Sequence, residues 1–134
     1  MAAARVPKWL TSEGVRALHA EQLALFGGEA GLLQEGGLEA ALARPRNAWL
    51  YGDAPDLPRL AAIYLVGLAN AHAFVDGNKR TALAAALVFL ALNRRPLHVP
   101  PLELYDLTMR VATGKADEDA VAAWLRRRLG SPRR

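Results

Sequence analysis

Apolar residues recur at helical spacing along nearly the whole chain, and no run alternates between apolar and polar residues as a half-buried strand does. Strands are therefore expected to be rare. With 134 residues, 52% of them hydrophobic, the chain can bury a conventional core although it has no cysteine for disulfides. We predict a single all-α domain of about six helices over residues 1–134. The absence of cysteine also excludes thiol catalysis and cysteine-held metal clusters.

Residues that typically begin and end helices define the first two of them. Thr11 is predicted to cap a helix that ends at Gly27 and Gly28. Its expected buried face consists of Val15, Leu18, Gln22 and Leu25. A short second helix over residues 37–43 is expected to stop before Pro45, because proline disfavours the helical conformation of the residue before it.

Four further helices are predicted in the remainder of the chain. Asp56 caps the third, and the fourth, over residues 78–93, is so apolar that we expect it to be the buried central helix. The fifth runs from Pro100 to Thr113, and the sixth begins at Asp117 and ends in an arginine cluster. Residues 46–55, which lie between turn-forming residues, are the least helical segment and are expected to form a small hairpin or flap.

The positive charge of the chain is concentrated at its end. Residues 126–134 hold five arginines and no acid, whereas the other 125 residues hold 12 basic and 13 acidic groups. Direct nucleic-acid binding is therefore not expected of the body of the domain. The longest apolar run, residues 82–92, is well short of the roughly 20 residues that span a bilayer. With no targeting segment visible, we expect a cytoplasmic protein without membrane contact.

Polar residues are concentrated in residues 72–81, between two apolar helices. Gly77 and Asn78 are predicted to turn the backbone with positive φ, which would aim successive N–H groups at an anion at the start of a helix. Lys79 and Arg80 are unfavourable beside the positive end of a helix dipole. Their presence there indicates a bound anion.

Two other residues of this segment could supply chemistry. Asp76 beside a phosphate site is a typical single protein ligand of Mg²⁺. His72 could accept a proton from an attacking hydroxyl. Together they favour phosphoryl or nucleotidyl transfer. As an alternative, His72 and Asp76 could be two ligands of a transition metal, although no third His or Cys is close in sequence.

The segment HAFVDGNKRTA, residues 72–82, resembles the signature HxFx(D/E)GN(G/K)R of the Fic/Doc family, and its KRTA ending resembles the death-on-curing (Doc) branch. Residues 10–28, which include His19, and residues 37–45 resemble the first part of Doc-type toxins. The resemblance therefore extends over about the whole chain, and it implies the helical fold of that family.

The resemblance also implies a role for each motif residue. His72 would deprotonate a target hydroxyl, Arg80 would clamp the nucleotide phosphates during catalysis, and Asp76 would bind Mg²⁺. Phe74 would anchor the loop in the core. The implied phosphate-binding residues are Gly77, Asn78, Lys79 and Arg80.

The resemblance implies a reaction as well. Lys79 stands where the Fic branch has glycine, so ATP would bind inverted and the γ-phosphoryl group would be transferred to a threonine of elongation factor Tu, which stops translation. Two alternatives stay open. One is AMP transfer of the Fic type, and the other is a non-catalytic module that holds an antitoxin or nucleic acid through the arginine tail.

The chain departs from the family pattern in two places. Ala73 replaces the usual proline after the histidine, and no (S/T)xxxE(G/N) self-inhibitory helix is found. Inhibition is therefore expected from a separate Phd-like antitoxin. His19 and His98 are interpreted as structural. The resemblance places the flap that aligns the target at Asn47, Trp49, Leu50 and Tyr51.

Overall fold

The computed structural model describes residues 5–130 and contains six helices within them. They are α1 (Ser12–Phe26), α2 (Glu35–Tyr51), α3 (Leu57–Ala71), α4 (Asn78–Leu92), α5 (Pro101–Ala112) and α6 (Glu118–Leu129). Outside the helices, the described part of the chain has one isolated bridge, between Leu32 and Phe74. The all-α class with six helices is therefore confirmed. Arg133 and Arg134, at the end of the basic tail, lie outside the described residues.

The predicted capping residues begin three of the helices. Thr11, Asp56 and Asp117 each accept a hydrogen bond from the backbone N–H three residues ahead, at 2.9–3.0 Å. Each bond satisfies one of the N–H groups that have no partner within the helix. α1 ends at Gly27 as expected, and α6 ends at Gly130, both with positive φ.

The central helix is α3, which packs against α2, α4, α5 and α6. All residues from 60 to 65 are buried in it. The prediction that α4 would be the central helix is wrong, because Leu83 and Leu87 in α4 are only half-buried. A helix that is apolar on all sides shows no periodic pattern, so the sequence does not reveal which of its faces is covered.

The second helix is longer than its sequence suggests. α2 continues through Pro45 to Tyr51, so the prediction of a helical end before Pro45 and of a hairpin over residues 46–55 is wrong. Pro45 cannot donate a backbone hydrogen bond, but its side chain is fully buried. Trp49 and Ala48, one turn further on, pack against the core. This burial favours continuation of the helix over the local preference for a break.

The arginine cluster at the end of α6 is largely engaged within the molecule. Arg126 forms two hydrogen bonds with the Asp56 carboxylate, at 2.8 and 3.0 Å. Arg128 contacts Glu103 at 3.0 Å and lies 4.2 Å above the ring of the buried Trp124. Two of the three arginines in the described part of the basic tail therefore attach α6 to other helices.

Candidate active site

The motif loop, residues 72–77, turns sharply at each end between α3 and α4. His72 ends α3 with φ 48° and ψ 44°, and Gly77 precedes α4 with φ 78° and ψ 16°. Glycine has no Cβ and adopts this left-handed conformation without strain. The positive φ predicted for Asn78 is wrong, since Asn78 is the first residue of α4. One left-handed residue is enough to aim the following N–H groups out of the helix end.

The side chain of Asn78 holds the loop closed from within. Its Oδ1 accepts from the Phe74 N–H at 3.0 Å, and its Nδ2 donates to the Phe74 carbonyl at 2.9 Å. The Phe74 ring is buried, and it stacks on the His19 ring with 3.8 Å between the centroids. Phe74 thus lies in the core, as the family resemblance implies, while the amide of Asn78 is bonded to the loop.

A second loop, residues 27–34 between α1 and α2, lies against the motif loop. The Val75 N–H donates to the Gly31 carbonyl at 3.0 Å, and the Ala73 carbonyl accepts from Leu33 and Gln34 at 2.7 and 3.0 Å. Gly28, with φ 126°, lies so close that a Cβ there would be 2.9 Å from an oxygen of Asp76. The glycine is therefore required by the close approach of the two loops.

Asp76 is held as a carboxylate at the surface. Its Oδ1 accepts from the Gly77 N–H at 2.8 Å, and its Oδ2 accepts from the Glu29 N–H at 3.2 Å. The Gly77 hydrogen bond, then the Glu29 hydrogen bond and the nearby Arg80 charge, lower the pKa of the Asp76 carboxyl below its usual value. Asp76 is consequently ionised at neutral pH and can act as an oxygen ligand.

At the beginning of α4, the positive end of the helix dipole lies beside two cationic side chains, Lys79 and Arg80. Among the described residues no side chain caps this helix, so the N–H groups of its first turn have no side-chain partner there. Arg80 donates to the Gly27 carbonyl at 3.0 Å, and its guanidinium lies 5.6 Å from the centre of the Phe26 ring. Lys79 is exposed. An anion at this point would be attracted by the helix end and by both side chains.

A cleft of ≈ 410 Å³ brings the predicted site residues together. The predicted residues that line it are His72, Asp76, Gly77, Asn78, Lys79 and Arg80. An imidazole, a carboxylate and the N-terminal end of a helix thus share one surface. This combination can hold a nucleotide phosphate beside a group that deprotonates a hydroxyl.

The predicted flap residues lie away from this cleft. Asn47, Trp49, Leu50 and Tyr51 are in the last turns of α2, and none of them lines the cleft. The opposite end of α2 follows Gln34, which is bonded to the motif loop. Because a helix rises about 1.5 Å per residue, the flap residues lie about 20 Å further along the helix. The segment that borders the motif loop is instead residues 27–34.

Sequence reasoning did not place His19 or the 27–34 loop against the motif loop. His19 and Val15 are the buried residues of α1, whereas Leu25, expected on the buried face, is 64% exposed. The spacing of four residues between Val15 and His19 is the signal that could have placed His19 in the core. The pairing of the two loops is made by backbone groups, so apart from the glycines at positions 28 and 31 it leaves no sequence signal.

The donor set fits Mg²⁺ better than a transition metal. Within residues 5–130, no group of three His, Asp or Glu side chains could hold a metal ion. The alternative of His72 and Asp76 as two ligands therefore lacks a third protein ligand there. Mg²⁺ needs only one or two carboxylates, because phosphate and water oxygens complete its shell, and Asp76 beside the α4 N-terminus supplies that arrangement.

Comparison with known proteins identifies the family. The model of the Fic/DOC family matches residues 9–90, which contain α1 to α3, the motif loop and most of α4. This chain belongs to the Fic/DOC family. The matched range includes every residue that lines the cleft except Ala112.

Two curated relatives resemble this Fic/DOC protein over most of their length. "Protein kinase doc" of Escherichia phage P1 is 40% identical over 122 residues, which are 91% of this chain and 96% of that protein. "Toxin Doc" of Mycolicibacterium smegmatis (strain ATCC 700084 / mc(2)155) is 49% identical over 106 residues, or 75% of this chain and 79% of that protein. None of the helices described is both long and apolar enough to cross a membrane.

Proposed function

We propose that this Fic/DOC protein is a Doc-type toxin that transfers the γ-phosphoryl group of ATP to a protein hydroxyl. The observation that carries the proposal is that one cleft brings together His72, Asp76 and the uncapped start of α4 with Lys79 and Arg80. One relative is named a protein kinase and the other a toxin, which supports phosphoryl transfer with a toxic outcome.

Each of these residues of the cleft has a separate role in the proposed reaction. His72 takes the proton of the target hydroxyl, whose oxygen forms a bond to the γ-phosphorus while the bond to the β–γ bridging oxygen breaks and ADP leaves. Arg80 and Lys79 bind the phosphates, together with the backbone N–H groups of Asn78 and Lys79 in the first turn of α4. Asp76 would hold Mg²⁺, which neutralises charge on the phosphates.

The surface beside the cleft fits a protein target better than a small molecule. Four large apolar side chains are exposed on segments that contact the motif loop or belong to it. They are Leu25 (64%), Phe26 (66%), Leu33 (63%) and Val75 (38%). A patch of exposed apolar side chains marks a protein-interaction site, and of these four Val75 lines the cleft while the Phe26 ring lies 5.6 Å from the Arg80 guanidinium. The target proposed is a translation factor of the elongation factor Tu class, modified on a threonine, with arrest of translation in the cytoplasm.

A separate Phd-like antitoxin is the proposed inhibitor. The sequence contains no (S/T)xxxE(G/N) motif of a self-inhibitory helix, so we propose that inhibition comes from another protein. The relative named "Toxin Doc" supports a toxin–antitoxin context. A partner that covers the exposed apolar side chains beside the cleft would also exclude the target.

Mass spectrometry of a purified target tests the reaction. With Mg·ATP and elongation factor Tu, we expect an adduct of about 80 Da, whereas AMP transfer would add about 329 Da. His72→Ala is expected to slow modification at least about 100-fold, because general base catalysis contributes that much. His98→Ala, which replaces an exposed histidine between α4 and α5, is the matched control and should keep full activity.

Other outcomes would contradict the proposal in different ways. A 329 Da adduct would overturn the kinase assignment and support the Fic type of transfer. Toxicity in cells that persists in His72→Ala but disappears when Arg126, Arg127 and Arg128 are replaced would support the non-catalytic binding module instead. We expect Arg80→Ala to abolish toxicity, and Arg127→Ala, its exposed control, to retain it.

A further inference from the structure

His19 connects α1 to the motif loop by two different contacts. Its Nε2 lies 2.8 Å from the backbone oxygen of Asp76, and its ring stacks on Phe74 with an interplanar angle of 10°. The side chain is only 6% exposed. A buried histidine with both contacts can fix the position of Asp76 without touching a substrate.

The chemistry of the Asp76 contact determines the direction of the hydrogen bond. A backbone carbonyl oxygen only accepts, so Nε2 of His19 carries a ring hydrogen and donates it. The Asp76 carboxylate is fixed separately, by the N–H groups of Gly77 and Glu29. Hydrogen bonds therefore hold both the main chain and the side chain of Asp76, and the main-chain bond comes from α1.

We propose that His19 is a positioning residue for the metal-binding carboxylate of Asp76. This inference rests on the proposed function, in which Asp76 binds Mg²⁺ with the nucleotide. The ring packs against Phe74, and its N–H holds the Asp76 carbonyl, so the carboxylate faces the cleft. Partners behind metal ligands typically change metal affinity or activity 10- to 100-fold when they are lost.

Two substitutions separate the two contacts. His19→Phe retains a ring that can stack on Phe74 but removes the donor. His19→Gln removes the ring but retains an N–H group, and the side-chain nitrogen of glutamine, like Nε2 of histidine, is four bonds from Cα. His98→Phe and His98→Gln are matched controls, since His98 is exposed and lies outside the cleft.

Binding of Mg·AMP-PNP by isothermal titration calorimetry is the first measurement. We expect His19→Phe to raise the Kd about 10-fold and His19→Gln to raise it no more than about 3-fold, in line with the usual effect of lost supporting hydrogen bonds. Both His98 variants should bind like the original chain. Equal affinity of His19→Phe and His98→Phe would overturn the inference, as would equal weakening by His19→Phe and His19→Gln.

Amide hydrogen exchange without nucleotide is the second measurement, and it separates this inference from the proposed function. The N–H groups of Gly77 and Val75 donate to Asp76 and Gly31. We expect their exchange to accelerate about 10-fold in His19→Phe and to recover in His19→Gln, because loss of the anchor raises the open population of the loop. Unchanged exchange would overturn the positioning role. Failure of the original chain to bind Mg·AMP-PNP would contradict the proposed function alone.

Discussion

Thr81, at the start of α4, carries a buried hydroxyl group. Its side chain is 1% exposed, and within the described chain its Oγ1 has no hydrogen-bond partner. A buried polar group without a partner costs about 1–3 kcal/mol. Valine has nearly the same shape without the hydroxyl. We expect Thr81→Val to raise the free energy of unfolding by about 1 kcal/mol in urea denaturation.

Thr81→Ser is the control for this prediction. It keeps the hydroxyl and removes a buried methyl group, so it should destabilise the protein by about 1 kcal/mol. A loss of stability in Thr81→Val would show that the hydroxyl is hydrogen-bonded after all.

At the residue scale, the sequence groups candidate site residues where they are close together in the chain. His72, Asp76 and Arg80 were identified because the motif places them within nine residues, and the structure brings them to one cleft. His19 was interpreted as a plain structural residue because its partner, Asp76, lies 57 positions away. The bonds from the Asn78 side chain to Phe74 were missed since an amide at a helix start also suits a phosphate site.

At the scale of the element, Asp56 stabilises two helices at once. Its Oδ1 caps α3 by accepting from the Arg59 N–H, and both oxygens accept from Arg126 of α6. We expect Asp56→Ala to lower the free energy of unfolding by about 1–2 kcal/mol, because an alanine cap alone costs that much. Asp56→Asn keeps the cap and loses the ion pair, so its cost should be below about 1 kcal/mol.

The same side chain gives an acid dependence that can be measured. The hydrogen bonds from Arg126 lower the pKa of the Asp56 carboxyl in the folded protein. A carboxyl whose pKa is lower when folded contributes stability above about pH 4, and that contribution is lost as the pH falls through the folded pKa. When denaturation is measured at pH 7 and at pH 3, the free energy of unfolding should fall less between the two in Asp56→Asn than in the original chain. Equal losses of free energy in the two proteins would contradict the assignment of this acid dependence to Asp56.

Helix boundaries were predictable wherever a local cap decides them. Thr11, Asp56 and Asp117 all cap as expected, because their hydrogen bonds span three residues. The end of α2 was not predictable, since the local rule for Pro45 is overridden by its burial against the core. The predicted hairpin depended on that false helix end and failed with it.

At the scale of the whole molecule, Tyr64 connects the N-terminal segment to the central helix. Its hydroxyl is fully buried with the side chain and accepts from the Leu10 N–H at 3.1 Å, and its ring lies 4.9 Å from that of Phe89. Burial raises the pKa of the Tyr64 hydroxyl above its usual value. A phenol whose pKa is higher when folded contributes stability that is present below about pH 10 and is lost as the pH rises.

We therefore expect the free energy of unfolding to fall between pH 9.5 and pH 11, at about the range where phenols ionise, and to fall less in Tyr64→Phe. At neutral pH, Tyr64→Phe should cost about 1–3 kcal/mol, because the Leu10 N–H loses its acceptor. Tyr105→Phe, at a 59% exposed position, is the control and should leave both values unchanged. If the free energy of unfolding fell equally at alkaline pH in Tyr64→Phe and in the original chain, the assignment of this fall to Tyr64 would be refuted.

The distribution of charge over the molecule was only partly visible in the sequence. The excess of arginine at the end of the chain could be counted from the sequence, but the ion pairs that these arginines form could not be predicted from it. Arg126 and Arg128 form ion pairs with Asp56 and Glu103, which lie 70 and 25 positions away. Such pairs depend on how α6 packs, and that packing is decided by the whole core.

The pairing of the 27–34 loop with the motif loop consists of backbone hydrogen bonds, from Val75 to Gly31 and from Leu33 and Gln34 to Ala73. Backbone bonds do not depend on side-chain identity, except where a side chain would collide, as at Gly28 and Gly31. Residues 29, 30 and 33 can therefore change without loosening the frame that holds Asp76. The exposed surface of this loop can thus vary in size and charge while the backbone beneath it keeps Asp76 in place.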